Sequence, residues 1–245
     1  MTLPAHVIIL GCGRSGTSIF GELFDHLSTY HYLSEPPFEA LLSLNYAQPT
    51  AIKVPKESKG FPPDTGLSFP LSMLLSTIPQ PRHFFWQVRH PLDTICSLKV
   101  GISRNWGHHP QPPDWKDWVH RPLIEQCAHH WNYINTIGFS AVAEQVVVTR
   151  FEDMLANSYQ FAAGIAQQVS LNEKENASEI LAWAERVQNR NNEKFVEAET
   201  SRAYSTTDHS IKVGRWKENL SDEEISLARP IIEETARRFG YTMFD

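Results

Sequence analysis

The chain is short of positive charge: 22 lysines and arginines stand against 28 aspartates and glutamates, for a net charge of −6. A nucleic-acid binder ordinarily carries a basic face for the phosphates, so that class is set aside. Cysteine is scarce as well. Cys12, Cys96 and Cys127 are an odd number without metal-like spacing, so neither a disulfide framework nor a metal site is expected, and a reducing compartment is. No apolar run approaches the ~20 residues of a membrane-spanning helix. No basic–apolar–small leader is read at the start, and the expectation is a cytoplasmic protein without stable membrane insertion. Repeats, low-complexity tracts and linkers are missing too. A length of 245 residues with 41% apolar content then suits one large α/β core, residues 1–245 as a single domain.

Glycine is sparse, 12 in all, yet Gly11, Gly13 and Gly16 fall together. In HVIILGCGRSGTSIFGELF (His6 to Phe24) an apolar run, Val7 to Leu10, breaks into this glycine-rich loop. It then becomes a helical pattern with Ile19, Phe20, Leu23, Phe24 and Leu27 on one face. Strand, glycine-rich loop and helix turn backbone N–H groups and the positive end of a helix toward a phosphate. Against the template G-x-x-x-x-G-K-[ST], Gly11, Gly16 and Ser18 fit, while Thr17 stands where the lysine would be. That lysine reaches the β/γ-phosphates of a triphosphate. Its loss argues against ATP or GTP chemistry, and Arg14 places a cation inside the loop instead.

A second stretch, HFFWQVRHPLDTICSLK (His83 to Lys99), holds an apolar strand that ends at Arg89 and passes into a helix carrying Ser97. A hydrolysing P-loop enzyme often has a Mg²⁺-organising aspartate at such a strand end. A guanidinium with a hydroxyl two turns on suits a second anionic group better than a metal.

At these residues the chain resembles the sulfotransferases that use 3′-phosphoadenosine-5′-phosphosulfate (PAPS). The form GxxRSGTS, with arginine in the loop, is most similar to the broad bacterial branch and the tyrosylprotein sulfotransferases. The resemblance implies that Gly11, Cys12, Gly13, Arg14, Ser15, Gly16, Thr17 and Ser18 cradle the 5′-phosphosulfate and that Arg89 and Ser97 hold the 3′-phosphate. AIKVPK (Ala51 to Lys56) resembles the strand whose lysine lies near the transferred group, here Lys53. VVVTRFEDML (Val146 to Leu155) resembles the family's Tyr-Glu-Asp strand end, with Phe151 for the tyrosine. VGRWKENLS (Val213 to Ser221) resembles the C-terminal cofactor loop, which brings in Gly214, Arg215 and Trp216. Two departures stand out. His209-Ser210-Ile211 replaces the Arg-Lys-Gly of the cytosolic enzymes, leaving Lys212 and Arg215 to supply the charge. Val54 and Pro55 follow Lys53, so the histidine base of those enzymes has no counterpart there.

The element order reads as a doubly wound, P-loop-type parallel sheet flanked by helices, with strands near residues 6–10, 51–54, 83–88 and 145–149. Ligands in such sheets sit at the carboxyl ends of strands, where Arg14, Lys53 and Arg89 fall. Residues 57–70 read as a loop, and helices are expected over Arg121–Ile137 and Glu173–Gln188. Residues 101–120, with three tryptophans, three histidines and three prolines, read as a substrate-facing lid, the alternative being a satellite cluster under a long loop. Residues 196–211 are expected to close over the cofactor. Ser221 and Glu224 form a capping-box pattern, and Pro230 is expected to kink the last helical region or begin a second helix.

Sulfuryl transfer needs the acceptor proton removed, the transferring group held in line, and charge on the departing phosphate oxygen stabilised. Arg14 is the candidate for the last task, with Thr17 and Ser18 as hydroxyl donors and Lys53 assisting from the opposite side. Glu35, in HYLSEPPFEALL, stands where the resemblance implies a general base. Burial beside Leu33, Pro37 and Phe38 is expected to raise its pKa; the alternative is an N-cap for a helix over Phe38–Leu44. Phe151 and Trp216 each have two readings, cofactor contact or core packing. No metal is expected, and the co-substrate is PAPS. The acceptor is a small molecule, carbohydrate or peptide with a hydroxyl or amine. A P-loop small-molecule kinase and a non-catalytic nucleotide-binding module are the competing readings.

Overall fold

β1 (His6–Gly11) is apolar at successive positions because it lies in the middle of a sheet covered on both faces. Ile8 and Leu10 point into one core cluster, Val7 and Ile9 into the other, as the two-residue period of a strand requires. This computed structural model of the chain describes residues 4–188 and 213–242. Its strands are β1, β2 (His31–Ser34), β3 (Thr50–Lys53), β4 (Arg82–Val88) and β5 (Val146–Arg150), in the spatial order β2-β3-β1-β4-β5. Each pairs in parallel with its neighbours, so all five carboxyl ends open onto one edge. The chain passes to one side of β1 for β2 and β3 and to the other for β4 and β5.

Four strands match the expected positions to within a residue or two. β2 is the exception. Its HYLS sequence is short and exposed at both ends, so it carries no apolar alternation by which to find it.

The helices follow their local chemistry. α1 (Thr17–His26) buries Ile19, Phe20, Leu23 and Phe24 against the sheet. α4 (Pro91–Ile102) starts with proline at its first turn, where the missing N–H costs nothing, and is buried along most of its length. The helix expected over Arg121–Ile137 is α6 (Leu123–Tyr133), which opens after Pro122 and runs into a π-helical turn, Ile134–Gly138. The one expected from Glu173 begins later, as Ala177–Gln188, because the Asn172 side chain and carbonyl hold 172–176 as a turn. The capping box forms as expected: Ser221 and Glu224 bond each other's backbone N–H groups. Pro230, however, starts no second helix; one helix, Asp222–Arg238, spans it, held by Ala228, Ile232 and Ala236 packed on the core. Packing outweighs the local penalty of the proline.

Candidate functional site

The loop between β1 and α1 needs its glycines for different reasons. Gly16 has φ +89°, and a Cβ there would strike the Phe151 ring. Gly11 has φ +147° and lies against the Gln87 carbonyl of β4. Cys12 is fully buried and burial pushes its thiol pKa up, so its side chain packs in the core beneath the loop. Ser15 Oγ is buried with no hydrogen-bond partner among the described residues. Such an orphaned hydroxyl in a glycine loop fits an absent phosphate oxygen. Arg14, at φ +70°, donates from Nε to Ser97 Oγ at 2.9 Å. The hydroxyl expected at the second anionic group thus touches the loop arginine directly.

On the β4 side, Arg89 is buried, donates to the Arg14 carbonyl at 3.3 Å, and lies 4.3 Å from the centroid of the Phe151 ring. Phe151 itself is fully buried. It is therefore a floor beneath Arg89 and a wall for Gly16, and its reach to a ligand runs through the guanidinium. Arg215 is buried nearby, and three cations now crowd one another: burial, Arg89 and Arg215 together lower the Arg14 pKa to about 10. Burying guanidinium groups this close is unfavourable without an anion between or beside them.

Two acids organise this side: Asp93, which the sequence did not single out, and Glu152, which it suggested only as a cap for the helix after β5. Asp93 is fully buried; it pairs with Arg89 at 3.9 Å and accepts from Gly214 N at 2.8 Å and Trp216 N at 3.0 Å. The C-terminal Gly-Arg-Trp stretch is thereby tied to the first turn of α4, with Gly214 at φ +80° making the turn. The only available signal was an acid in the first turn of a helix, which reads as a capping preference. Glu152 does not cap the helix Phe151–Ala156 that follows β5; it accepts from His90 N at 2.9 Å and Tyr241 Oη at 2.7 Å. The Trp216 ring stacks on His90, centroids 5.7 Å apart, so its packing role is realised.

On the β3 side, buried Lys53 donates to Ser18 Oγ at 3.0 Å and to Glu35 Oε1, while Lys56 lies 3.4 Å from Glu35 Oε2. Glu35 follows β2 directly, its N–H bonded to the Lys53 carbonyl at 2.8 Å. Glu35 and its neighbour Val54 both have positive φ, +50° and +41°. For a β-branched residue that is a strained backbone, of the kind held only where the surroundings dictate it. Glu35 caps no helix: the helix it precedes is Phe38–Leu42, with Pro37 at the N-cap and no side-chain cap. Burial raises its pKa as expected, but Lys53 and Lys56 outweigh burial and the carboxyl ends below its ordinary value. The expected rise is thus reversed, since neither lysine contact was visible in the local sequence.

The aromatic segment divides. Trp106 is core, donating to His130 Nδ1 at 3.1 Å, and His108 packs on the phosphate loop. Residues 109–115 face segment 57–68 across an open cleft of about 240 Å³, lined among others by Glu57, Pro63, Ser68, His109, Pro112 and Trp115. Lys212 and residues 196–211 lie outside the described residues. Among the described residues no group of three or more histidine, cysteine or acidic side chains is placed to hold a metal ion, and no helix is long and apolar enough to cross a membrane.

No family model and no curated protein matches the sequence. Solved structures do match. The chain is similar to mouse sulfotransferase SULT7A1 complexed with PAP, at 14% identity and TM-score 0.56, over 97% of this chain and 85% of that one. It is similar to retinol dehydratase in a complex with retinol and PAP, at 15% identity and TM-score 0.58, over 99% and 84%. It is also similar to sulfotransferase STF9 from Mycobacterium avium, at 11% identity and TM-score 0.50, over 99% and 78%. The chain has the fold of these proteins, a P-loop-type parallel sheet flanked by helices.

Proposed function

We propose that the protein is a PAPS-dependent sulfotransferase acting on a hydroxyl or amine of a small acceptor. The observation that carries this reading is the cluster of Arg14, Arg89 and Arg215 at the carboxyl ends of β1 and β4, beside a glycine loop whose Ser15 hydroxyl is buried and unpartnered. Two phosphates on one nucleotide suit that arrangement, and the fold shared with PAP-bound proteins supports it.

PAPS, when bound, supplies an activated sulfuryl group. The protein's part is to bind, orient and move a proton. The backbone N–H groups of Gly11–Ser18, with the Ser15, Thr17 and Ser18 hydroxyls, hold the 5′ end. Arg14 sets its charge where negative charge grows on a departing phosphate oxygen. Arg89 and Ser97 take the 3′-phosphate, with Phe151 supporting Arg89 and Gly214, Arg215 and Trp216 closing that side over Asp93. Across the loop, Glu35 accepts the acceptor's proton on its carboxylate, which Lys53 and Lys56 keep ionised and aimed. The acceptor approaches from the cleft between residues 57–68 and 109–115.

Isothermal titration with adenosine 3′,5′-bisphosphate and with ATP tests the reading. The bisphosphate binds in EDTA, and ATP binds weakly or not at all. Tight ATP binding that requires Mg²⁺, with no response to the bisphosphate, would overturn it in favour of a small-molecule kinase. An intact bisphosphate site with no turnover on a broad acceptor screen would leave a nucleotide-binding module.

A further inference from the structure

His108 stands on a stretch of chain folded back against α4: Trp106 N bonds the Ile102 carbonyl at 3.0 Å and Gly107 N the Gly101 carbonyl at 2.9 Å. Its imidazole enters between two glycines. A Cβ on Gly101 would overlap the Nε2 and Cδ2 edge, and one on Gly13 would come within 3.2 Å of Nδ1. Neither glycine has a positive φ, so it is the ring, not the backbone, that requires the missing side chains. A glycine inside a helix costs about 1 kcal/mol relative to alanine, a penalty Gly101 carries to admit this ring. Behind His108, His130 is fully buried with its ring centroid 5.9 Å away, and Trp106 Nε1 donates to its Nδ1. Trp106 can only donate, so His130 is the acceptor there and stays neutral. In front lies the Gly13–Arg14 peptide, whose next atoms are fixed by Ser97 and Arg89.

We propose that His108 is a positioning residue, a wedge between Gly101 of α4 and Gly13 of the phosphate loop that holds the loop and Arg14 in their anion-binding arrangement. This rests on the function proposed above only for the identity of the anion. The ring's surroundings support it. Burial, Arg14 and His109 lower the His108 pKa to about 4 against the opposing charge of Glu35, so near neutral pH a neutral wedge adds no repulsion to the arginine cluster. An anion seated on the loop favours the imidazolium, so binding takes up a proton as the pH falls toward the His108 pKa. Among the described residues, the titratable groups facing the ring include Arg14, Glu35, His109 and His130.

The test titrates adenosine 3′,5′-bisphosphate, and inorganic pyrophosphate as a bare anion, into wild type, His108→Ala, His108→Gln, Gly101→Ala and the Gly101→Ala/His108→Ala pair. His108→Ala and Gly101→Ala each weaken both anions about tenfold, roughly 1.4 kcal/mol. The double variant is no weaker than His108→Ala, because the methyl then has room; such non-additivity marks a direct contact. His108→Gln restores most of the affinity but takes up fewer protons on binding than wild type as the pH falls toward the His108 pKa. Gly101→Ala displaces the ring without altering residue 108, so the test stands even if His108→Ala folds poorly. Wild-type affinity in both single variants, with only a lowered Tm, would reduce His108 to space filling; additive losses in the double variant would also overturn the wedge. Pyrophosphate binding that depends on His108, with no bisphosphate binding, would sink the proposed function and leave the wedge standing; no binding of either anion by wild type would sink both.

Discussion

On the β2–β3 side of the glycine loop, Glu35 lies half-exposed between Lys53 and Lys56; on the β4–β5 side, Arg89 and Asp93 are buried, with Asp93 tied to the backbone of Trp216. Both sides pair acids with bases at strand ends, yet the environments give the pairs different work. A half-exposed carboxylate has access to an incoming hydroxyl and to water, and can exchange a proton. A buried guanidinium held by a buried carboxylate keeps its charge and its place, which is what fixed binding of an anion requires. Burial separates a side suited to proton transfer from a side suited to recognition, although both are acid–base pairs, Glu with Lys on one and Asp with Arg on the other.

That division can be broken by substitution, most sharply at Glu35. Glu35→Gln keeps shape and removes basicity, so turnover falls about 10²–10⁴-fold while bisphosphate affinity barely changes. Steady-state rates beside calorimetry check this, and retained turnover would move the base elsewhere. On the sealed side, Asp93→Ala strands Arg89 and frees Gly214 and Trp216 from their anchor. A loss of about 3–5 kcal/mol of stability is expected, read as the urea midpoint and slope. An unchanged midpoint would show that Asp93 is not the organiser of that side.

A smaller effect follows at Arg89. Arg89→Ala weakens adenosine 3′,5′-bisphosphate by roughly 1.5–3 kcal/mol and 5′-AMP, which lacks the 3′-phosphate, much less. Equal losses for both would place Arg89 away from that phosphate. The smallest effect belongs to Lys56→Ala. An exposed partner contributes under about 1 kcal/mol, but its charge helps hold the Glu35 carboxyl below its ordinary value. A carboxyl lowered on folding stabilises above its unfolded pKa, and that contribution is lost as pH falls through the folded value. Removing Lys56 therefore moves the acid limb of the rate profile to higher pH. A limb that stays put would mean Lys53 alone sets the charge state of Glu35.

The two sides also differ in how far they can be read from a sequence. Gly11, Gly16, Arg14, Arg89 and Ser97 lie in short contiguous patterns, strand then loop then helix, whose backbone geometry follows from local chemistry. Glycine permits the turn, and apolar periodicity marks the strand and helix on either side. β1, β3, β4 and β5 were legible for the same reason. β2 was not, because an edge strand of four residues buries too little to show alternation. Nor was the charge state of Glu35, which depends on lysines that the β2–β3 register brings alongside, Ser34 opposite Lys53.

By itself, then, the sequence determined a glycine-rich turn with an arginine in it, a parallel α/β order and the residues that fall at strand ends, since each of these is settled within a few residues by φ, periodicity and side-chain type. Only the tertiary structure decided that Asp93 would gather Arg89 with Gly214 and Trp216 from more than a hundred residues away, that Phe151 would lie under a guanidinium, and that His108 would enter between Gly13 and Gly101. Those arrangements depend on which side chains share a buried volume, and burial is a property of the assembled layers that no local stretch carries.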